Sequence, residues 1–304
     1  MTAGLQILFD ALSLGSLYAL GALGIALIFG VMRLVNFAHG DYIAFCIFAL
    51  LWPTTQAATV LFLGQLPTAL LIPLVIVIGA CVSMLSEVVV FRRLRNASPA
   101  TMMIASFALG FVIKNLLLML FSSRPKSLSL LPGLARQVEV FGARVPLLQA
   151  VTIVATIAIL IALTLFLKRT RFGLEMRAAA EDFTMARMLG VKANRVILLA
   201  FAISGGLAGA IGLVLVVQTG TADINMGLSV MLVAFIATVV GGLGSLSGAV
   251  AAGFLIGGAS VAMQVILPLD ARPFRDAFVY ALVIVVLLWR PQGLFAPRSS
   301  KQRV

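Results

Sequence analysis

Residues 8–32 read "LFDALSLGSLYALGALGIALIFGVM". This run of 25 residues carries one charged side chain, Asp10, and is longer than the roughly 20 residues a helix needs to cross about 30 Å of hydrocarbon. Similar runs recur to the far end of the chain. We expect spans at about 5–31, 42–62, 67–90, 100–121, 147–167, 196–217, 228–243, 248–268 and 276–290. The composition agrees: of 304 residues, 62% are hydrophobic and 11% charged, and the mean hydropathy is +1.16. These values define an all-α, polytopic membrane helix bundle with a single transmembrane domain over 1–304.

The N-terminal "MTAGLQILFD" has no basic residue and no small-residue cleavage site, so the first run is expected to be a permanent span. Cys46 and Cys81 both lie in apolar runs without a ligand partner at useful spacing, which argues against a disulfide or a metal centre. The formal charge of +12 does not point to nucleic acid, because the basic residues gather in short connecting segments. They fall in "FRRLRN" at 91–96, in Lys168, Arg169, Arg171, Arg177, Arg187, Lys192 and Arg195, and in Arg290, Arg298, Lys301 and Arg303. Positively charged connections mark the cytoplasmic side, and span parity places all three segments there, including the C-terminus. Segment 122–146 then lies outside, and its alternating "QVEVFGARV" predicts a small hairpin.

The stretch "RLVNFAHGDY" at 33–42 places Arg33, Asn36, His39 and Asp41 between two apolar runs, and His39 is the chain's only histidine. It either separates two spans or interrupts one, so the count lies between eight and ten. Polar groups at membrane depth are costly and face a bundle interior or a water-filled cavity. Asn36, His39, Gly40 and Asp41 are therefore candidates for a pathway or gate, as are Lys114 and Asn115 in "TMMIASFALGFVIKNLLLMLF". The structural alternative is equally concrete. Asn36 or Asp41 caps a helix, Gly40 permits a break, His39 bonds a freed carbonyl, and Lys114 pairs with an acid or reaches to the interface.

Small residues form stripes at helical spacing: Gly15, Ala19, Ala22, Ala26 and Gly30; Gly205, Gly209 and Gly212; Gly253, Gly257 and Ser260, with Gln264 in register. Such stripes allow backbones to approach closely. No "GxxxxGK[ST]" occurs, so this chain has no phosphate-cradling loop for ATP. The glycines of "GGLGSLSG" at 241–248 have Ser247 where a dinucleotide-binding loop needs its third glycine, and they read as a tight turn. No nucleophile is fixed beside the histidine, so no catalytic residue is assigned.

The segment at about 168–195 is rich in helix formers. Ala178, Met185 and Leu189, with Ala179, Ala186 and Val191, give one apolar side of a short amphipathic helix, and Gly190 ends it. Either a docking surface or a helix lying on lipid fits this pattern.

The segment resembles the cytoplasmic coupling loop of ATP-binding cassette (ABC) importer permeases, whose Ala-rich helix and following Gly insert into a cleft of the ATPase. Four stretches, one of them in this segment, resemble the LivH-type branched-chain amino acid permeases: "GSLYALGALGIALIFGVMRLVNFAHGD", "TRFGLEMRAAAEDFTMARMLGV", "GGLGSLSGA" and "RPQGLF". The resemblance implies half of an import pathway for branched-chain amino acids in a bacterial inner membrane, with urea, short amides or another small organic acid as alternative cargo. It implies coupling through Arg177, Ala178, Ala179, Ala180, Glu181, Ala186, Leu189, Gly190 and Val191. It also implies a second, LivM-like permease, two ATP-binding subunits of LivG and LivF kind that hold ATP and Mg²⁺, and an extracytoplasmic solute-binding protein, with no cofactor in this chain. The rival class is an ion-coupled transporter with Asp41, His39 and Lys114 as a relay; another is an assembly subunit that never touches solute.

Overall fold

The computed structural model describes residues 2–56, 67–128, 130, 136–140, 143–181 and 183–295. The elements run α1 (Thr2–Met32), α2 (His39–Phe48), α3 (Thr68–Ser86) with a π-helical turn at Glu87–Phe91, and α4 (Pro99–Phe121). Next come β1 (Lys126–Ser127), β2 (Gln137–Val140), β3 (Ala143–Pro146), α5 (Leu147–Arg169), α6 (Arg171–Glu181), α7 (Phe183–Met188) and α8 (Ala193–Thr219). The chain finishes with β4 (Thr221–Ala222), α9 (Met226–Gly241), α10 (Leu246–Ile266), a 3₁₀ turn at Leu269–Phe274 and α11 (Arg275–Trp289). The fold is all-α and polytopic, as expected.

The expected spans differ in length. Among the described residues six helices, α1, α3, α4, α5, α8 and α10, are long and apolar enough to cross a bilayer. The expected spans at 228–243 and 276–290 are helices of 16 and 15 residues. The expected span 42–62 is the ten-residue α2, about 15 Å long, or half a hydrocarbon thickness. Its end loosens into i→i+3 bonds, Leu50 N–H to Ile47 O and Leu51 N–H to Phe48 O, ahead of Pro53. A proline biases the residue before it away from helical geometry, so Pro53 favours an end to the helix here. Residues 57–62 lie outside the described residues, as do Arg298, Lys301 and Arg303.

The chain forms two compact units. One comprises 27–132 and 163–231. Its centre is the crossing of α3 and α8, where Gly79 and Gly205 face each other so closely that a Cβ on either would lie 2.1 Å from the other's carbonyl oxygen. Gly209 meets Val75 of α3, and Gly212 meets Ile43 and Ile47 of α2, so the whole predicted stripe of α8 is used for close approach. Gly40 at the start of α2 meets Gly227 of α9 in the same way. At one end β1 pairs antiparallel with β4, and the fully buried Lys126 donates from Nζ to Thr54 O at 2.9 Å and Gln56 O at 2.6 Å. Those bonds tie down the backbone after α2.

The other unit comprises 1–26, 133–162 and 232–304. Here the small-residue stripes of α1 and α10 meet: Gly15 lies against Phe254 and Gly257, and Ala19 against Gly253. Thr238 Oγ1 of α9 donates to Ala22 O at 3.1 Å, and Gln149 Nε2 of α5 donates to Asp10 Oδ1 at 2.8 Å. Strands β2 and β3 pair antiparallel, giving the hairpin expected from "QVEVFGARV". The glycine turn also forms: α9 ends at Gly241, and Ser245 caps α10 by accepting Gly248 N–H at 3.1 Å. The distant "RPQGLF" folds back on this turn, with Leu294 N–H bonded to Val240 O at 2.7 Å and Gly293 against Gly242.

Candidate functional site

The first cluster of interest starts where α1 stops. Arg33 takes a left-handed conformation (φ 52°), and residues 34–38 turn the chain into α2. This break lies before Gly40, not at it. Asn36 is buried, and its Oδ1 accepts the Ala38 N–H at 3.1 Å, the two-residue side-chain turn that Asn favours. Its Nδ2 lies 3.5 Å from Tyr42 Oη, and its carbonyl accepts the His39 N–H at 3.3 Å. Asn36 therefore shapes the entry to α2. Gly40 serves the contact with Gly227.

His39 is 1% exposed. It bonds no freed carbonyl; its Nδ1 lies 3.3 Å from Ser204 Oγ of α8, and its Nε2 has no hydrogen-bond partner among the described residues. An orphaned ring nitrogen inside a packed core is an uncommon arrangement. Asp41, half-buried in the first turn of α2, where a helix favours negative charge, puts Oδ2 against Gly110 of α4. Lys114 stands one turn beyond Gly110, on the same face of α4. Next to them Phe37 stacks on Phe107 with centroids 4.2 Å apart, and the Phe37 N–H donates to Ser106 Oγ at 3.2 Å.

The structure thus gathers Asn36, His39, Gly40 and Asp41 at one end of α2 and sets Lys114 on the α4 face beside Asp41. It does not bring in Asn115, whose Nδ2 donates to Phe111 O of its own helix at 2.7 Å, in line with the exposed Phe111 and Met119. Sequence reading missed Ser204, Ser106, Gly110 and Gly227. Ser204 was legible only as the polar neighbour of a glycine stripe.

The second cluster is the basic segment 168–195. Thr170 Oγ1 accepts the Gly173 N–H at 3.1 Å, capping α6, and Gly173 lies against the Leu167 backbone, which forces a sharp turn out of α5. The segment is two helices, α6 and α7, not one. Asp182, between them, lies outside the described residues, as do the side chains of Ala180 and Glu181. The apolar residues do not share a side. Met176, Ala179 and Ala186 are buried, and Ala178 is half-buried, so they pack this segment onto its own unit. Met185, Met188 and Leu189 point outward, 60%, 79% and 85% exposed, beside the exposed Arg177 and Arg187.

Gly190 (φ 88°) closes α7: its N–H bonds Arg187 O and the Val191 N–H bonds Ala186 O, both at 3.0 Å. This pair of bonds is the Schellman ending, which fixes the exit from the helix and satisfies its last carbonyls. The outward apolar residues are thus held on a short, rigid end.

A polytopic helical protein with buried polar groups where its first helix breaks, and with an ordered basic segment presenting apolar side chains outward, has the make-up of a transport permease. Residues 7–287 match the family described as "Branched-chain amino acid transport system / permease component", and the chain belongs to that family. It is 31% identical over 301 residues to the high-affinity branched-chain amino acid transport system permease protein BraD of Pseudomonas aeruginosa, covering 95% of both chains. It is 32% identical over 307 residues to the corresponding permease protein LivH of Escherichia coli, covering 95% of this chain and 94% of that one.

Proposed function

We propose that this chain is one permease subunit of an ABC importer, forming half of a translocation pathway for branched-chain amino acids. It works as a single permease domain over 1–304, with its coupling segment at 168–195 on the cytoplasmic side, together with the C-terminus. Family membership over nearly the whole length supports the cargo class. Separate subunits supply ATP hydrolysis, ATP and Mg²⁺, since this sequence carries no phosphate-binding loop. The assembly contains a homologous LivM-like permease, two ATP-binding subunits of LivG and LivF kind, and an extracytoplasmic solute-binding protein.

The observation that carries the coupling reading is the outward trio Met185, Met188 and Leu189 on an end locked by Gly190. Three adjacent apolar side chains at high exposure on a polar, basic segment fit a protein cleft. Closure of the ATPase pair pushes this end, and the push reaches the spans through α5 and α8, which flank the segment. The polar groups from Asn36 to Asp41, with Lys114, act as a gate whose hydrogen bonds rearrange between outward and inward access.

Leu189→Glu tests this, because that side chain is 85% exposed. Gly190→Glu is the companion: its Cβ meets open space, so the cost is that of the left-handed backbone, about 1–2 kcal/mol. Both variants should reach the membrane in normal amount, fail to retain the ATP-binding subunits in a pull-down, and abolish ATP-dependent leucine uptake. Uptake at the wild-type rate in both would refute the docking role.

A further inference from the structure

Glu87 is a carboxylate at the end of α3 with no exposed surface, in a helix otherwise built of apolar and small residues. An unpaired buried charge would destabilise the fold strongly, so its partners matter. Arg92 Nη2 lies 2.8 Å from Glu87 Oε2, and Arg95 Nη2 pairs with Glu87 Oε1. The π-helical turn from Glu87 to Phe91 makes this possible. It inserts an extra residue per turn, closed by the Arg92 N–H bond to Glu87 O at 2.7 Å, and so swings Arg92 and Arg95 back over the carboxylate.

Arg95 does not stop there. Its second terminal nitrogen, Nη1, donates to Asn194 Oδ1, in the first turn of α8. Asn194 lies four residues after Gly190, and α8 is the span that leaves the coupling segment. A guanidinium fork reads two acceptors in fixed geometry, so the end of α3 and the start of α8 are tied through one rigid group. One layer further in, Phe91 of the π turn and Phe201 of α8, both fully buried, lie with ring centroids 5.3 Å apart. Beyond them the same two helices meet at Gly79 and Gly205, about 16 Å along α8 from Asn194.

We propose that Glu87 and Arg95 form a strut that carries the movement of the coupling segment from the start of α8 into α3, making both positioning residues for transport. The proposal rests on the coupling role given above to segment 168–195. When the segment is pushed, α8 cannot tilt at Asn194 without drawing Arg95, and with it the buried Glu87, so α3 and α8 move as one body about their glycine crossing. Without the strut, the start of α8 can bend ahead of the glycine crossing, and less of the push reaches α3.

The test is the complete importer in proteoliposomes, reading solute imported per ATP hydrolysed. Glu87 itself is a poor probe, because its replacement leaves two arginines unpaired. Asn194 is exposed, so Asn194→Ala cuts the link and leaves the Glu87 pairs in place. It should lower the import-to-hydrolysis ratio at least about fivefold, the low end of coupling factors between sites, with hydrolysis persisting. Asn194→Asp, which still accepts from Arg95, should keep the ratio. Arg95→Lys, a point charge without a fork, should lower it. A wild-type ratio in both Asn194→Ala and Arg95→Lys overturns the strut, and so does less assembled importer at an unchanged ratio. Leu189→Glu in the same preparation separates the two readings: import lost there but intact in Asn194→Ala removes the strut alone, whereas full import in Leu189→Glu removes the coupling role beneath it.

Discussion

Gly205→Ala adds one methyl group to the middle of an apolar helix, a change that elsewhere in α-helices stabilises by up to about 1 kcal/mol. Here the new Cβ would sit 2.1 Å from Gly79 O, 2.4 Å from Ser83 Cβ and 2.8 Å from Gly79 C. An ordinary contact begins near 3.4 Å, so α3 and α8 must separate by about 1.3 Å at their crossing, and the nearest obstacle is backbone that cannot rotate away. Overpacking of this kind costs about 1–3 kcal/mol, and more where backbone must shift. The matched control is Gly258→Ala in α10, where the methyl would meet nothing within 4 Å. Purified in detergent and melted thermally, the Gly205 variant should unfold well below wild type, and the Gly258 variant at or slightly above it. Equal midpoints for the two would refute the argument that these helices are held by backbone contact through paired glycines.

Two other perturbations follow from buried polar groups. Lys126→Met leaves the carbonyls of Thr54 and Gln56 without their charged donor, a loss of about 2 kcal/mol or more, so protease cleavage within residues 49–56 should accelerate; an unchanged cleavage rate would show that the lysine is not the clasp. Ser204→Ala removes the partner of His39 Nδ1 and leaves a buried imidazole with neither nitrogen bonded among the described residues, costing about 1–3 kcal/mol, which a lowered detergent melting midpoint would register and an unaltered one would contradict.

The membrane class, the glycine stripes, the hairpin at 137–146 and the turn at 241–248 were all legible, because each depends on local pattern. Hydrophobic run length sets α1, α3, α4, α5, α8 and α10, and Gly spacing alone marks which faces meet. The length of α2 was not legible from hydropathy, since "IAFCIFALLW" is as apolar as any span and only Pro53 signals the stop. The partition of segment 168–195 was hidden for another reason. Alanine and methionine look alike to a hydropathy pattern, yet Ala186 packs inward and Met185 outward, and only the tertiary fold decides which. For Asn36, His39, Gly40 and Asp41, polarity between two apolar runs reveals a cost and no partners. Ser204 and Gly227, more than 160 residues away, could not be assigned to them by spacing.

Helix α1 is 83% buried over its most apolar stretch, and the face holding Gly15 is closed by Gly253 and Gly257. Those glycines are synthesised 238 or more residues after Gly15, which at about 5–20 residues per second is a wait of roughly 12–48 s. During that time the nascent helix has lipid or the insertion machinery where its mate will be. Its sequence therefore meets two demands in succession, first to partition alone into the bilayer and then to shed its lipid neighbours for a late-arriving partner. A substitution at Gly15 would spare the first step and arrest the second.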